Sequence, residues 1–185
     1  MLEYLAEDLI RELNTDQFVA RYRDTKRFAE CCRACPSFGR SWCCPPFEPA
    51  STEWFGTYAR VMLVATVIRS SDSSLPISSA QQLMLPERQR IERRLLGLEQ
   101  QYGGRSAACV GECLYCPAEG CSRSLRQPCR HPELLRPSLE AYGFDLVRGV
   151  EELFGRPLLW STDGLMPEYL ILVSGFFHNN DNINW

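Results

Sequence analysis

Residues 60–69 read RVMLVATVIR. The run Val61 to Ile68 is apolar and rich in β-branched residues, without the polar positions that a surface helix would need. Such a stretch fits a strand buried on both faces. It is far short of the roughly 20 residues that a membrane helix requires. Downstream, residues 78–102 form a long charged segment with Leu83, Ile91, Leu95 and Leu98 on one stripe, which predicts a helix. Pro86 kinks it or marks a new start, and Gly103-Gly104 ends it. Residues 106–110 predict a short strand, residues 138–142 a short helix capped by Ser138, residues 145–154 a further helix, and residues 168–177 a last strand. Residues 157–160 fit extended chain.

Upstream of the central run, Leu2, Leu5, Leu9 and Leu13 recur at spacings of three and four, so residues 2–13 predict an amphipathic helix. Asn14-Thr15-Asp16 offers an N-cap for a second helix over about 16–30, with Phe18, Tyr22 and Phe28 turned inward. Helices and strands therefore mix in the order ααβαβ–loop–ααβ. The expected fold is an α/β or α+β sandwich forming a single domain over residues 1–185, with two cysteine loops, 31–46 and 109–132, at one edge.

Composition narrows the function. The chain has 185 residues, is 45% hydrophobic and 23% charged, and carries a net charge of −3. It is long enough to bury its own core. The slightly acidic balance argues against nucleic acid, which usually calls for a basic face. Ten cysteines stand out. Their share is below the roughly 8–10% of short secreted disulfide scaffolds. The N-terminus shows no basic and apolar leader pattern, which points to a cytoplasmic, reducing setting where clustered cysteines bind metal more often than they pair.

The second loop holds the clearest ligand set, Cys113-x2-Cys116-x4-Cys121-x7-Cys129. Four thiolates fit tetrahedral zinc or a [4Fe–4S] cluster. Pro117 after Cys116, Pro128 before Cys129 and nearby Pro132 favour the cluster, because proline bends the chain away and adds no spare donor. Zinc is the alternative. Cys109-x3-Cys113-x2-Cys116 copies the spacing of radical S-adenosylmethionine enzymes. Too little chain follows Cys116 for a barrel of about 200–250 residues, and Cys121 and Cys129 would close the open iron which that chemistry needs.

The first loop, residues 31–46, reads CCRACPSFGRSWCCPP. With Pro36, Pro45, Pro46 and the following Pro49, it excludes a long helix. Its best ligands are Cys32, Cys35 and Cys44. These are three thiolates that either await a fourth ligand or leave a position open for a substrate. Cys31 and Cys43 fit small buried hydrophobes, and Cys109 has no assigned role. His131 fits a ligand or, more readily, a hydrogen-bond donor beside the metal. Arg130 and Arg136 would offset the negative charge of a thiolate cluster. His178 falls in a polar tail and is expected to face solvent. Glu140 is expected to pair with an arginine. No G-x-G-x-x-G or Walker A motif supports a nucleotide site.

Tyr22-Arg23-Asp24, Cys32-x2-Cys35-Pro36, Trp42 through Phe47, Cys113-x2-Cys116-x4-Cys121, Pro128-Cys129-Arg130-His131-Pro132 and Arg136-Pro137-Ser138-Leu139-Glu140-Ala141-Tyr142-Gly143 together resemble the bacterial and archaeal family of cysteine-rich predicted metal-binding proteins. The resemblance spans roughly residues 18 to 175. It implies a soluble metal- or iron–sulfur-binding protein and no established reaction. Cys31, Cys43 and Cys109 depart from that pattern. The expected roles are electron transfer or redox support of a partner protein by an iron–sulfur protein, a zinc module, or a metal-dependent enzyme using the open three-cysteine site.

Overall fold

The computed structural model describes residues 2–47, 54–116 and 120–185. Pro49 and Pro117 lie outside the described residues. In chain order the elements are β1 (Tyr4–Asn14), α1 (Thr15–Tyr22), α2 (Thr25–Ala34), β2 (Arg60–Ser70), α3 (Ala80–Tyr102), β3 (Arg105–Ala107), α4 (Leu146–Phe154) and β4 (Leu170–His178). The strands form one sheet in the order β1-β2-β4-β3, with every pairing antiparallel. This is the α+β form of the expected sandwich.

β2 is central because both its faces are buried. Met62, Val64 and Ile68 pack with Leu83, Ile91, Leu95 and Leu98 of α3, together with Leu172 and Phe176 of β4. Val61 and Leu63 face the opposite layer, with Phe18 and Tyr22 of α1 and Leu146 and Val150 of α4. That second layer is aromatic. Phe18 stacks on Phe144 at 4.6 Å between ring centres, and Phe55 lies 5.2 Å from Tyr142 and 5.0 Å from Phe177. Helices on both faces explain why the run Val61 to Ile68 lacks alternation: neither side of the strand meets water.

Residues 4–14 form a strand, not the expected helix. β1 pairs with β2 along its whole length, from Tyr4 opposite Ser70 to Asn14 opposite Arg60. The leucine spacing misleads because four is both a helical repeat and an even number. Leu5, Leu9 and Leu13 share one side of a strand as readily as one side of a helix. At this edge Leu5 remains 78% exposed, while Leu13 packs on the cluster that holds Phe18 and Val150. The expected helix over 16–30 is two helices. Asn14 caps α1 by accepting from the Gln17 N–H at 3.1 Å. Asp24 starts α2 by accepting from the Arg27 N–H at 3.0 Å, and the Asp24 N–H donates to the Gly143 carbonyl at 2.8 Å.

α3 keeps Pro86 inside its run and ends at Gly103. Gly104 lies at φ 124°, and a Cβ there would sit 2.4 Å from the Phe177 carbonyl oxygen. The turn from α3 into β3 thus requires glycine. β3 is shorter than expected, because the chain leaves the sheet after Ala107. The end of β4 brings a correction. His178 is fully buried, stacked near Phe176 at 5.4 Å, and its Nδ1 accepts from the Asn180 N–H. It belongs to the sheet rather than to a solvated tail. No described helix is long and apolar enough to cross a membrane.

A polar clasp ties β1 to α3. Arg90 donates to both carboxylate oxygens of Asp8, at 2.7 and 2.8 Å, while Thr66 donates at 2.6 Å and the Trp185 indole at 2.6 Å. Burial pushes the Asp8 carboxyl up, but these donors outweigh it and hold the group below the usual aspartate range. Its contribution is therefore complete at neutral pH and is lost as pH falls through the lowered value. Asp8→Asn is expected to lose about 1–2 kcal/mol at pH 7, a charged hydrogen-bond contribution discounted for partial exposure. The gap to wild type should shrink below about pH 3.9, the ordinary aspartate value. Urea melts across pH check this, and a pH-independent gap would refute it.

Candidate metal centre

The first cysteine loop grows out of α2, whose last turn carries Cys31 and Cys32. The Cys35 N–H returns to the Cys32 carbonyl at 3.0 Å and closes the helix. The chain then folds back on itself. Phe38 N–H donates to the Cys35 carbonyl, Gly39 N–H to the Pro45 carbonyl at 2.9 Å, and Cys44 N–H to the Ser41 carbonyl at 3.0 Å. Cys44 is thereby returned toward Cys35.

The second loop follows β3 and also turns tightly. After Cys121 a 3-10 helix spans Ser122–Leu125. The buried Ser122 hydroxyl donates to the Pro128 carbonyl at 2.7 Å, and Gln127 N–H donates to the Ser122 carbonyl. Cys129 is thus brought back beside Cys121.

Side chains lock the two loops together. Arg123 donates to the carbonyls of Ser41 at 2.8 Å and Cys44 at 2.5 Å, and also to that of Pro46. Its guanidinium lies over the Trp42 ring, 5.0 Å from the centre. Trp42 reciprocates: its indole donates to the Gln127 carbonyl at 3.2 Å and its backbone N–H to Cys121 Sγ at 3.4 Å.

Two adjoining cavities result, and between them they are lined by all ten cysteines. The smaller, about 280 Å³, takes Cys113, Cys116, Cys121 and Cys129, with His131 on its wall. The larger, about 350 Å³, takes Cys32, Cys35 and Cys44 together with Cys31, Cys43 and Cys109. Cys113 lines both. All ten are free thiols. Each cysteine set proposed from spacing therefore shares one cavity. Among the described residues, no three His, Cys, Asp or Glu side chains stand close enough together to hold an ion as they are oriented. Rotation about each Cα–Cβ bond redirects a thiol.

Electrostatics shape the sites. The Cys43 and Cys113 thiols lie close to each other, and their interaction pulls Cys113 down and pushes Cys43 up. Burial, then the proximity of Cys35, raises Cys32 and Cys44. Burial also raises Cys129, with Cys113, Cys121 and Cys116 adding to the effect. Thiolates crowded in this way repel one another, and a bound cation relieves the repulsion. Four soft donors around one cavity suit zinc or an iron–sulfur cluster equally.

Other predicted residues fall into place. His131 stands on the smaller cavity, its ring 6.4 Å from that of Tyr115. Arg130 donates to the Gly120 carbonyl at 2.9 Å. Arg136 lines the larger cavity, yet its guanidinium grips Glu99, with Nε to Oε1 at 2.7 Å. Glu99 in turn accepts from the Ser106 N–H at 2.7 Å, so Arg136 anchors the loop to α3 and β3. Ser138 accepts from the Ala141 N–H at 3.3 Å, as a cap does. Cys109 is buried against Met62 and Phe176, and burial raises its thiol.

Sequence reasoning missed Arg123, which looks like any surface arginine until its three carbonyl partners are known. It also missed Arg88, Glu92 and Tyr115, which line the larger cavity with Cys109 and Cys113. Arg88 donates to the Glu112 carbonyl at 2.6 Å and lies 3.8 Å from Glu92. Gly111, at φ 123°, lets the chain pass against that guanidinium, where a Cβ would sit 2.8 Å away. A glycine just before Cys113 was the one available signal.

A family model described as predicted metal-binding protein (DUF2284) matches residues 19–173. No curated protein and no solved structure matches the chain.

Arg123→Ala is expected to destabilise the protein by about 2–3 kcal/mol, the range for a charged hydrogen-bond donor, and to speed proteolysis within residues 36–46. Arg123→Lys should recover little, because an ammonium lacks the planar fork that reaches several carbonyls. Thermal melts and limited proteolysis check this, and an unchanged cleavage pattern would refute the clasp.

Proposed function

Since the chain belongs to the family of predicted metal-binding proteins, we propose that it is an iron–sulfur protein working in electron transfer or in redox support of a partner protein. The observation that carries this reading is the single cavity shared by Cys113, Cys116, Cys121 and Cys129. These four would hold a [4Fe–4S] cluster. Cys32, Cys35 and Cys44 would hold a second metal or cluster across the shared Cys113 wall. When bound, such a cluster supplies reversible one-electron chemistry.

The chain's own residues do the rest. The Trp42 N–H is directed at Cys121, and the Tyr115 N–H helps pull the Cys113 thiol down. His131 lines the same cavity, and its ring N–H would serve a ligand sulfur. The nearby Cys43 pulls the Cys113 thiol down. Thiolate ligands persist where the surroundings are reducing, which supports a cytoplasmic setting. Zinc at the same four cysteines is the alternative, with the protein then a structural or regulatory module. A metal-dependent enzyme is the reading favoured if the larger cavity beside the three-cysteine set admits a substrate.

Anaerobic purification followed by iron, zinc and acid-labile sulfide analysis tests the proposal. A brown sample with matching iron and sulfide is expected, and a colourless zinc-loaded one would overturn the iron–sulfur reading. Cys116→Ser should remove metal from the second loop, while unchanged metal content would refute that ligand set. Because burial and crowding raise Cys32, Cys44 and Cys129, metal uptake must displace protons. Apparent affinity should therefore keep rising with pH beyond about 8.5, where an ordinary cysteine levels off.

A further inference from the structure

The three-cysteine set Cys32, Cys35 and Cys44 leaves its fourth ligand unnamed. The neighbouring thiols are poor candidates. Cys43 is engaged with Cys113 and lies 3.9 Å from the Arg136 carbonyl. Cys109 is packed into the sheet-facing core. Cys31 adjoins Cys32 on α2, where successive side chains diverge by about 100°.

Glu140 is different. It opens the 3-10 turn Glu140–Tyr142, which packs against α2, the helix that carries Cys32. Its side chain lines the larger cavity with all three cysteines. Its carboxyl Oε2 is buried and has no hydrogen-bond partner among the described residues. No arginine partner of the expected kind is found in the described ion pairs. Cys32 lies near enough to feel its charge. A buried carboxylate oxygen without a partner is costly, and coordination of a metal is one of the few ways to compensate it.

We propose that Glu140 is the fourth ligand of the Cys32, Cys35 and Cys44 site, coordinating through Oε2. The site then has three soft sulfurs and one hard oxygen. The oxygen is the weaker partner for a thiolate-loving metal and the one that an incoming ligand would displace. This rests on the metal-binding reading above.

The test titrates the metal-free, reduced, full-length protein with cobalt(II) against a competing chelator under anaerobic conditions. Wild type, Cys32→Ser, Glu140→Gln and Glu140→Cys are compared. Glu140→Gln is expected to weaken cobalt at the first loop by at least about tenfold, the low end for groups supporting a metal, with second-loop binding unchanged. Glu140→Cys should restore binding with stronger sulfur-to-cobalt absorption. Metal-free Glu140→Gln should melt no lower than metal-free wild type, since the lost acid had an unpartnered oxygen, whereas a merely structural glutamate would destabilise when replaced. Wild-type cobalt affinity in Glu140→Gln overturns the assignment. So does Glu140→Cys absorption no stronger than wild type, and that readout stands if the glutamine variant fails to fold. If Cys32→Ser also binds as wild type does, the first-loop metal site fails, and not only its fourth ligand.

Discussion

The guanidinium of Arg123 holds three carbonyls of a loop about 80 positions earlier in the chain. The rest of the cysteine-rich region depends on this contact. Neither loop has a hydrophobic core of its own, and each is shaped by local turns that spend their hydrogen bonds internally. What brings the two together is one planar cation presenting several donors to backbone oxygens that would otherwise face water. Trp42 covers the far side of that cation and returns an indole hydrogen bond. Two cysteine sets that are separate in sequence thus line adjoining cavities.

The sandwich supplies the fixed end of this arrangement. α3 packs one side on β2 and β4, and its other residues reach the loops: Arg88 and Glu92 line the larger cavity, and Glu99 grips Arg136. α2 arrives from the opposite layer, carrying Cys31 and Cys32 in its last turn. Division of labour follows from burial. The apolar faces fix where the elements stand, and the loops inherit that precision through a few charged contacts.

How much of this could be read in advance varied with the kind of information involved. The β2 run and the leucine stripe of α3 were legible because long patterns of one period admit few other structures. The two cysteine sets were legible because their spacing is local. β1 was misread because its leucine spacing suits either period and its decisive partner, β2, lies about 50 residues away. His178 was misread because its polar sequence neighbours say nothing about the sheet that covers it. Arg123 gave no local signal, and Glu140 read only as the partner of an arginine. What matters at both is a contact made only after distant segments meet, with backbone oxygens in one case and a cysteine-lined cavity in the other.

Cys113 stands in the wall between the two cavities, beside Cys43 of the other loop. A ligand in the smaller cavity that drew on Cys113 would take it from Cys43 and change the free energy of occupying the larger. By linkage, filling the larger would then shift the affinity of the smaller by the same factor. The order of filling would be set by a single shared side chain.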